Sequence, residues 1–355
     1  MKIAIDLTPL YGRKRTGVEM YAIDLYRALL KTGHQIVPVF HCKNEVDENA
    51  AACVIPQSNR LWLENISLSK AIRKIKADVV IFPIFPPPID IYYRCKSKIY
   101  QTIHDTVFLC YQDTQNFAAK YYYLPKVKLA LKKLDGIITI SETVKRQLQQ
   151  FTSKPLYNLG ENIAAEYEEA KNKVDGQLIK KWGLQEGEYY ISVSTIEPRK
   201  NFDYLLEVLE PILKKQNRKL ILVGRRGWGD NKRLEHLIEM AGDNLVFTGY
   251  VSMEEMFSLY HFAYAFVLLS KDEGFGRTPF EAIACGCRRI ILSDIEIFHE
   301  TFGNNALFLP LDDVEGCRKK LEQTAIPCIN DNMEIPFNVI ESRLQSFLHD
   351  ISISL

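Results

Sequence analysis

The sequence predicts an α/β protein made of two doubly wound domains, and three observations carry that expectation. The chain opens with Lys2–Leu7 (KIAIDL), an apolar strand that leads through a loop and an amphipathic helix to a second apolar strand, Gln35–Phe40. Strand, helix and strand at that spacing build a parallel sheet with helices on its faces. The pattern then lapses over Asn162–Gly187, a charged stretch poor in branched apolar residues, and restarts at Tyr189–Ser194. Finally, 355 residues are more than one hydrophobic core usually organises. The domains read as 1–165 and 185–335, with 336–355 as a terminal helix that packs back across the interdomain region.

Composition sets the class. Apolar residues make up 47% and charged residues 25%, as in ordinary soluble globular proteins. A net charge of +1 gives no reason to expect nucleic acid as a partner. No apolar run is long enough to span a membrane. The N-terminus starts directly as a strand, without a signal-peptide pattern, and the eight cysteines lack metal-ligand spacing. These features predict a cytoplasmic protein with reduced thiols.

In the first half, Gly17 follows the first strand and precedes a helix over Val18–Lys31, patterned by Met20, Ile23, Leu25, Leu29 and Leu30. Cys42–Asn59 reads as a loop, Ser67–Lys76 as a helix, and Asp78–Pro83 as a buried strand. Ser97–Ile103 is a strand that delivers His104-Asp105 to a loop, where the histidine either meets a ligand or is satisfied by its neighbouring carboxylate. Asn116–Leu134 is helical and carries Lys120, Lys126, Lys128, Lys132 and Lys133 beside Tyr121-Tyr122-Tyr123. A basic, aromatic helix of this kind suits an anionic membrane surface, or is a solvated face with its tyrosines packed inward. Gly136–Ile140 is a strand, Ser141-Glu142 opens a helix, and Pro155–Gly160 closes the sheet.

In the second half, the strand Tyr189–Ser194 leads into Glu197-Pro198-Arg199-Lys200-Asn201, and Lys219–Val223 leads into the basic loop Gly224–Gly229 with Arg225 and Arg226. Tyr264–Leu269 leads into Glu273-Gly274-Phe275-Gly276, then Arg277-Thr278-Pro279 and a helix. In a parallel sheet these three loops share one rim. Fixed cations and a helix N-terminus on such a rim suit a diphosphate. Thr278 reads as the N-cap of the helix, with Pro279 at its first position and Glu281 at its third. The pair Thr278 and Glu281 also forms a capping-box pattern, which would account for Glu281 by structure alone.

The segment from Glu273 through Gly276 to Glu281 resembles the Glu-x7-Glu motif of retaining glycosyltransferases of family 4, which have the GT-B fold of two Rossmann-like domains facing across a cleft. Glu197–Asn201 is similar to that family's phosphate-binding segment. Thr16-Gly17-Val18, His104-Asp105, Ser141-Glu142, Gly249-Tyr250-Val251 and Glu300-x-x-Gly303 also fall where the family has its markers. The likeness runs from the first strand to about Asp312.

The resemblance implies a transferase that moves a hexose from a nucleotide-sugar onto a growing glycan, such as a lipid-linked O-antigen or capsule intermediate, with retention of configuration. It implies that Arg199 and Lys200 neutralise the diphosphate, Glu281 holds the ribose, and Glu273 meets the sugar. The Gly274, Phe275 and Gly276 backbone, with Arg277 and Thr278 beside it, would line the donor. Tyr250 and Val251 would border the base, Gly17 would admit the diphosphate to the first loop, and His104 would lie near sugar and acceptor. His104, Lys200 and Glu273 are thus the expected catalytic residues. No Asp-x-Asp signature is found, so neither a metal nor another cofactor is expected. The expected partners are the donor, a glycan or lipid-linked acceptor, and a peripheral membrane contact. Ser194-Thr195 stands where the family usually has glycine, Arg277 where an apolar residue is common, and Cys287-Arg288 where proline is usual. Two rival readings are a nucleotide-sugar epimerase of the same fold and a non-catalytic binding protein.

Overall fold

The computed structural model describes residues 1–10, 16–41, 52–56, 59–110, 119–225 and 232–353. The start of the Asn116–Leu134 segment and Arg226–Gly229 of the basic loop lie outside these. The chain divides into two compact units, Met1–Asn162 with Asn338–Leu355, and Ile163–Phe337.

The first unit holds a parallel sheet of β1 (Lys2–Asp6), β2 (Gln35–Phe40), β3 (Cys53–Val54), β4 (Val79–Phe82), β5 (Lys98–Ile103), β6 (Gly136–Thr139) and β7 (Leu156–Asn158). Its order is β3-β2-β1-β4-β5-β6-β7. Ile3, Ala4 and Ile5 of β1 and Val79–Phe82 of β4 are fully buried, because helices cover both faces of the sheet. Helix α1 (Gly17–Leu30) begins where the sequence places it. The backbone N–H and hydroxyl of Thr16 both donate to Glu19.

The expected helix at Ser67 starts earlier. A turn at Arg60–Trp62 runs through a π-helical stretch, Leu63–Ser67, into α2 (Leu68–Ile75). Another π-helical stretch, Ala119–Tyr123, precedes α3 (Leu124–Lys133). Lys126 departs from the expected basic face: it is 7% exposed, with Nζ 2.8 Å from the Tyr122 hydroxyl and 4.1 Å from its ring centroid. Helix α4 (Glu142–Leu148) is capped by Ser141, whose Oγ accepts from the Val144 N–H at 3.1 Å.

The second unit is a parallel sheet of β8 (Tyr189–Val193), β9 (Lys219–Val223), β10 (Leu245–Gly249), β11 (Ala265–Leu268), β12 (Ile290–Ser293) and β13 (Leu307–Leu309). Its order is β10-β9-β8-β11-β12-β13. Helices α5 (Phe202–Gln216), α6 (Lys232–Ala241), α7 (Met253–His261), α8 (Arg277–Ala284), α9 (Glu296–Phe302) and α10 (Val314–Gln323) alternate with the strands. The two sheets are the doubly wound pair that the sequence predicts.

Helix α11 (Val339–Ile353) packs on the first unit. It buries Ile340, Leu344, Phe347, Leu348 and Ile351. The Phe347 ring stands edge-on to Tyr100 and Tyr157, with centroids 5.4 and 5.0 Å away. Asn162 holds the start of the helix, its Oδ1 accepting from the Ile340 N–H at 3.1 Å. Truncating such a buried phenylalanine costs roughly 3–5 kcal/mol.

Candidate functional site

In the second unit, β8 pairs with β9 on one side and with β11 on the other. The connections that follow β8 and β11 therefore run in opposite directions, and the crevice outside their carboxyl ends is where open α/β sheets receive ligands. β8 delivers the single turn Pro198–Lys200, which ends at Asn201 in a left-handed conformation, φ 56°. β11 delivers Ser270–Gly276. The loops are tied together by backbone: the Lys271 N–H donates to Arg199 O at 2.9 Å, the Ile196 N–H to Arg225 O at 3.1 Å, and the Gly224 N–H to Gly249 O at 3.1 Å. Thus the loops after β8, β9, β10 and β11 share one rim. Tyr250, 63% exposed, sits on it beyond Gly249, and Val251 follows.

Glu273 is the centre of the rim. Its Oε1 accepts from Lys200 Nζ at 2.6 Å and from Ser270 Oγ at 2.7 Å, and its Oε2 from Arg199 Nη1 at 3.0 Å. Burial alone would raise this carboxyl, but the Lys200 and Arg199 cations beside it bring it down to about 2. Arg199 also donates to the Asp272 carbonyl at 3.0 Å and to Glu197 at 3.0 and 3.2 Å, so it clamps the two loops. The Ser293 hydroxyl donates to the Ser270 carbonyl at 2.6 Å, which links β12 to the same point. Neither serine is signalled by spacing in the sequence.

Helix α8 begins two residues before the position predicted for it. Its N-cap is Gly276, at φ 88°, and not Thr278. The left-handed glycine turns the chain by itself, so Thr278 and Pro279 lie within the first turn and Glu281 lies past the reach of a capping box. A Cβ at Gly276 would meet Phe298 Cε1 at 2.7 Å. Gly274 is buried, and the Phe275 ring stacks on Phe280 with centroids 5.6 Å apart.

Glu281 faces a different environment. Tyr260 Oη donates to it at 3.4 Å, and Arg277 Nε lies 3.8 Å from Oε1. Tyr167 is its second phenol partner. Burial pushes the Glu281 carboxyl up, against the lowering effect of Arg277 and the two phenols. Tyr260 and Tyr167 are buried themselves, and burial and then Glu281 push both phenols upward.

In the first unit, His104 leaves β5 beside a cavity of about 490 Å³, which Thr16, Glu19, Phe85, Gln101 and Tyr123 also line. Its Nε2 lies 2.8 Å from the Pro83 carbonyl, and the Tyr21 ring stands edge-on at 4.8 Å. A carbonyl only accepts, so Nε2 is the nitrogen that donates here. Gly17 is the first residue of α1 in this unit. The structure thus gathers Arg199, Lys200 and Glu273 in one cluster and Arg277 with Glu281 in another. It places Gly17 and His104 in the first unit.

Residues 15–156 match the family model described as Glycosyltransferase Family 4, and residues 175–324 match that of Glycosyl transferases group 1. Each half of the chain thus matches a glycosyltransferase family model. The O-antigen chain mannosyltransferase RfbU of Salmonella typhimurium is 30% identical over 226 residues, covering 62% of this chain and 60% of that protein. The chain therefore matches less than two thirds of that relative's length. Two solved structures share the fold. Sucrose-phosphate synthase from Thermosynechococcus elongatus superposes with a TM-score of 0.70 and 15% identity over 100% of both chains. Anabaena Alr3699/HepE in complex with UDP-glucose gives 0.66 and 14%, over 99% of this chain and 95% of that one. At such identities the likeness is one of fold.

Proposed function

We propose that the chain is a retaining, metal-independent glycosyltransferase that moves a hexose from a nucleotide-sugar onto a growing bacterial surface polysaccharide. The name of the mannosyltransferase relative supports mannose as the sugar. The observation that carries the reading is the pairing of Lys200 and Arg199 with Glu273 where the strand order of the second sheet turns. A nucleoside diphosphate leaves with growing negative charge. Cations already held in place stabilise that charge more in the transition state than in the ground state. Glu273 does the holding. Arg199 is engaged by Glu197, Glu273 and a carbonyl, so it fixes the loops, while Lys200, 13% exposed, is the better phosphate ligand. The first-turn N–H groups of α8 add donors. With this charge stabilisation no metal is required, and same-face attack lets the departing phosphate take the acceptor's proton.

A thermal-shift titration with UDP, GDP, dTDP, ADP and CMP tests the donor site. One diphosphate should raise the melting temperature clearly above the others, and a ligand at a hundred times its Kd adds about 2.7 kcal/mol. Lys200→Ala should abolish that shift and most transfer from a nucleoside-diphosphate mannose, in buffer containing EDTA. If none of these nucleotides binds at millimolar concentration, the transferase reading fails and the non-catalytic alternative replaces it.

A further inference from the structure

Glu281 is held by neutral hydroxyls where Glu273 is held by cations. The hydrogen-bond donors to its side chain, among the described residues, are two phenols from separate elements. Tyr260 lies in α7 and is fully buried, and Tyr167 ends the single turn Ala165–Tyr167 at 7% exposure. Packing fixes both rings. Tyr167 stands edge-on to Phe257 with centroids 5.3 Å apart, and Tyr260 is tilted against Phe266 at 6.1 Å. Burial and the nearby Glu281 push both phenols upward, so at neutral pH both keep the proton they donate. The Arg277 Nε, 3.8 Å from Oε1, is beyond hydrogen-bond reach of it.

A carboxylate offers about four lone-pair sites, and two phenols fill two of them. Phenols bring no charge, so the carboxylate keeps its own for the bonds that remain. Hydroxyls bind an ionised acceptor roughly twice as strongly as a neutral one. A vicinal diol presents two hydroxyls on adjacent carbons and matches that capacity. Ribose carries such a diol at its 2′ and 3′ positions, at the far side of the ring from its 5′-phosphate. Glu281 is likewise set back from the start of α8, four residues after Arg277 and roughly 6 Å along the axis. A 2′-deoxyribose brings one of the two hydroxyls and leaves a buried acceptor site unpaired.

We propose that Tyr167 and Tyr260 are positioning residues that make Glu281 a receptor for a ribose 2′,3′-diol, so that the chain takes ribonucleoside diphosphate donors and rejects their 2′-deoxy counterparts. The word donor rests on the transferase reading, whereas the preference for a diol comes from the carboxylate and the two phenols that hold it. Each phenol acts through Glu281. Its O–H fixes the rotation of the carboxylate about its last torsion, so that the remaining lone pairs face the diol. A dTDP-linked sugar lacks the 2′-hydroxyl and is thereby excluded as the donor.

Calorimetric titration of the full chain with matched pairs tests this: UDP and dUDP, GDP and dGDP, ADP and dADP, CDP and dCDP. For the base that binds, the ribonucleotide should bind about ten- to a hundred-fold tighter than its 2′-deoxy partner, the worth of one hydrogen bond to a charged group. Tyr260→Phe and Tyr167→Phe should each shrink that ratio several-fold by weakening the ribonucleotide alone. A purely structural role for the phenols would weaken both members of the pair equally and leave the ratio unchanged. The comparison in the parent chain needs no variant, so it decides the matter even where a variant folds poorly. Equal affinity for the two members of the pair in the parent, or an unchanged ratio in both phenylalanine variants, overturns this proposal and leaves the transferase reading standing. No binding of any of these nucleotides overturns the transferase reading, and the donor assignment with it.

Discussion

Replacing Glu273 with glutamine keeps the shape of the side chain and removes its charge. In the folded chain this carboxyl is lowered from 4.5 to about 2 by Lys200 and Arg199, against the effect of burial. At about 1.4 kcal/mol per pH unit, that is on the order of 3 kcal/mol of stabilisation at neutral pH. Breaking a buried pair by removing one partner costs about 3–5 kcal/mol, so two routes agree. The sign follows from a folded pKa below the unfolded one. The contribution is fully present above about pH 4.5 and is lost as pH falls towards 2. Glu273→Gln should therefore lower the midpoint of the second unit by roughly 6–12 °C at pH 7, taking 2–4 °C per kcal/mol for a domain of this size. The gap to the parent chain should close between pH 4.5 and pH 2. Urea unfolding followed by near-ultraviolet circular dichroism at several pH values would measure it. A gap below about 0.5 kcal/mol at pH 7, or one that does not shrink in acid, would refute the view that this carboxylate anchors the rim.

Three further expectations follow from other parts of the chain. Asp6, fully buried at the end of β1, accepts from the Thr8 hydroxyl at 2.7 Å and its N–H at 3.1 Å, yet burial raises its carboxyl from 3.8 to about 6. Its folded pKa lies above the unfolded one, so ionising it costs stability as pH rises from about 4 to about 6; Asp6→Asn should remove that slope and be more stable at pH 8 by up to about 3 kcal/mol. Gly276→Ala should cost roughly 1–3 kcal/mol in urea unfolding, because φ 88° is strained for a side chain and Phe298 stands in its way; a loss under half of 1 kcal/mol would sink that. If the first unit rests on an anionic membrane, the contact uses exposed Lys128, Lys132 and Lys133 with Trp62 and Tyr121, which are 55% and 63% exposed. Changing the three lysines to glutamine should weaken binding to anionic vesicles by about a hundred-fold, at about 1 kcal/mol each, whereas Lys126→Gln, at a buried position, should leave vesicle binding intact.

The sheets were legible because their central strands are apolar on both faces, as Ile3–Ile5 and Val79–Phe82 show. The short strands Cys53–Val54 and Leu307–Leu309 span too few residues to show a period. The start of α8 was misread because Thr278 and Pro279 are good cap and first-turn residues, while the actual cap depends on the backbone of Gly276. Arg199, Lys200 and Glu273 could be named from their place after strands, although 73 positions separate Lys200 from Glu273. What the pattern could not give was their direct pairing, because a motif names residue types and the fold decides which groups meet. Ser270, Ser293, Tyr167 and Tyr260 carry no local signature at all.

The two carboxylates of the motif, similar in sequence, have opposite surroundings. Glu273 is held ionised by two cations, Lys200 and Arg199. Glu281 is backed by two phenols and one more distant guanidinium, and burial moves its carboxyl upward. Carboxyl groups whose environments drive their pKa values apart take different tasks. Under the proposed function, Glu273 is the anchor that aims Lys200, and Glu281 the polar group that would receive ligand hydroxyls. The substitutions separate these tasks. Glu273→Gln should lose stability together with diphosphate binding. Glu281→Gln, which keeps an acceptor oxygen for Tyr260, should fold nearly as well as the parent and lose affinity for the nucleoside portion of the donor. Equal losses of stability in both variants would mean that the pair is a single structural unit and that this division of labour is wrong.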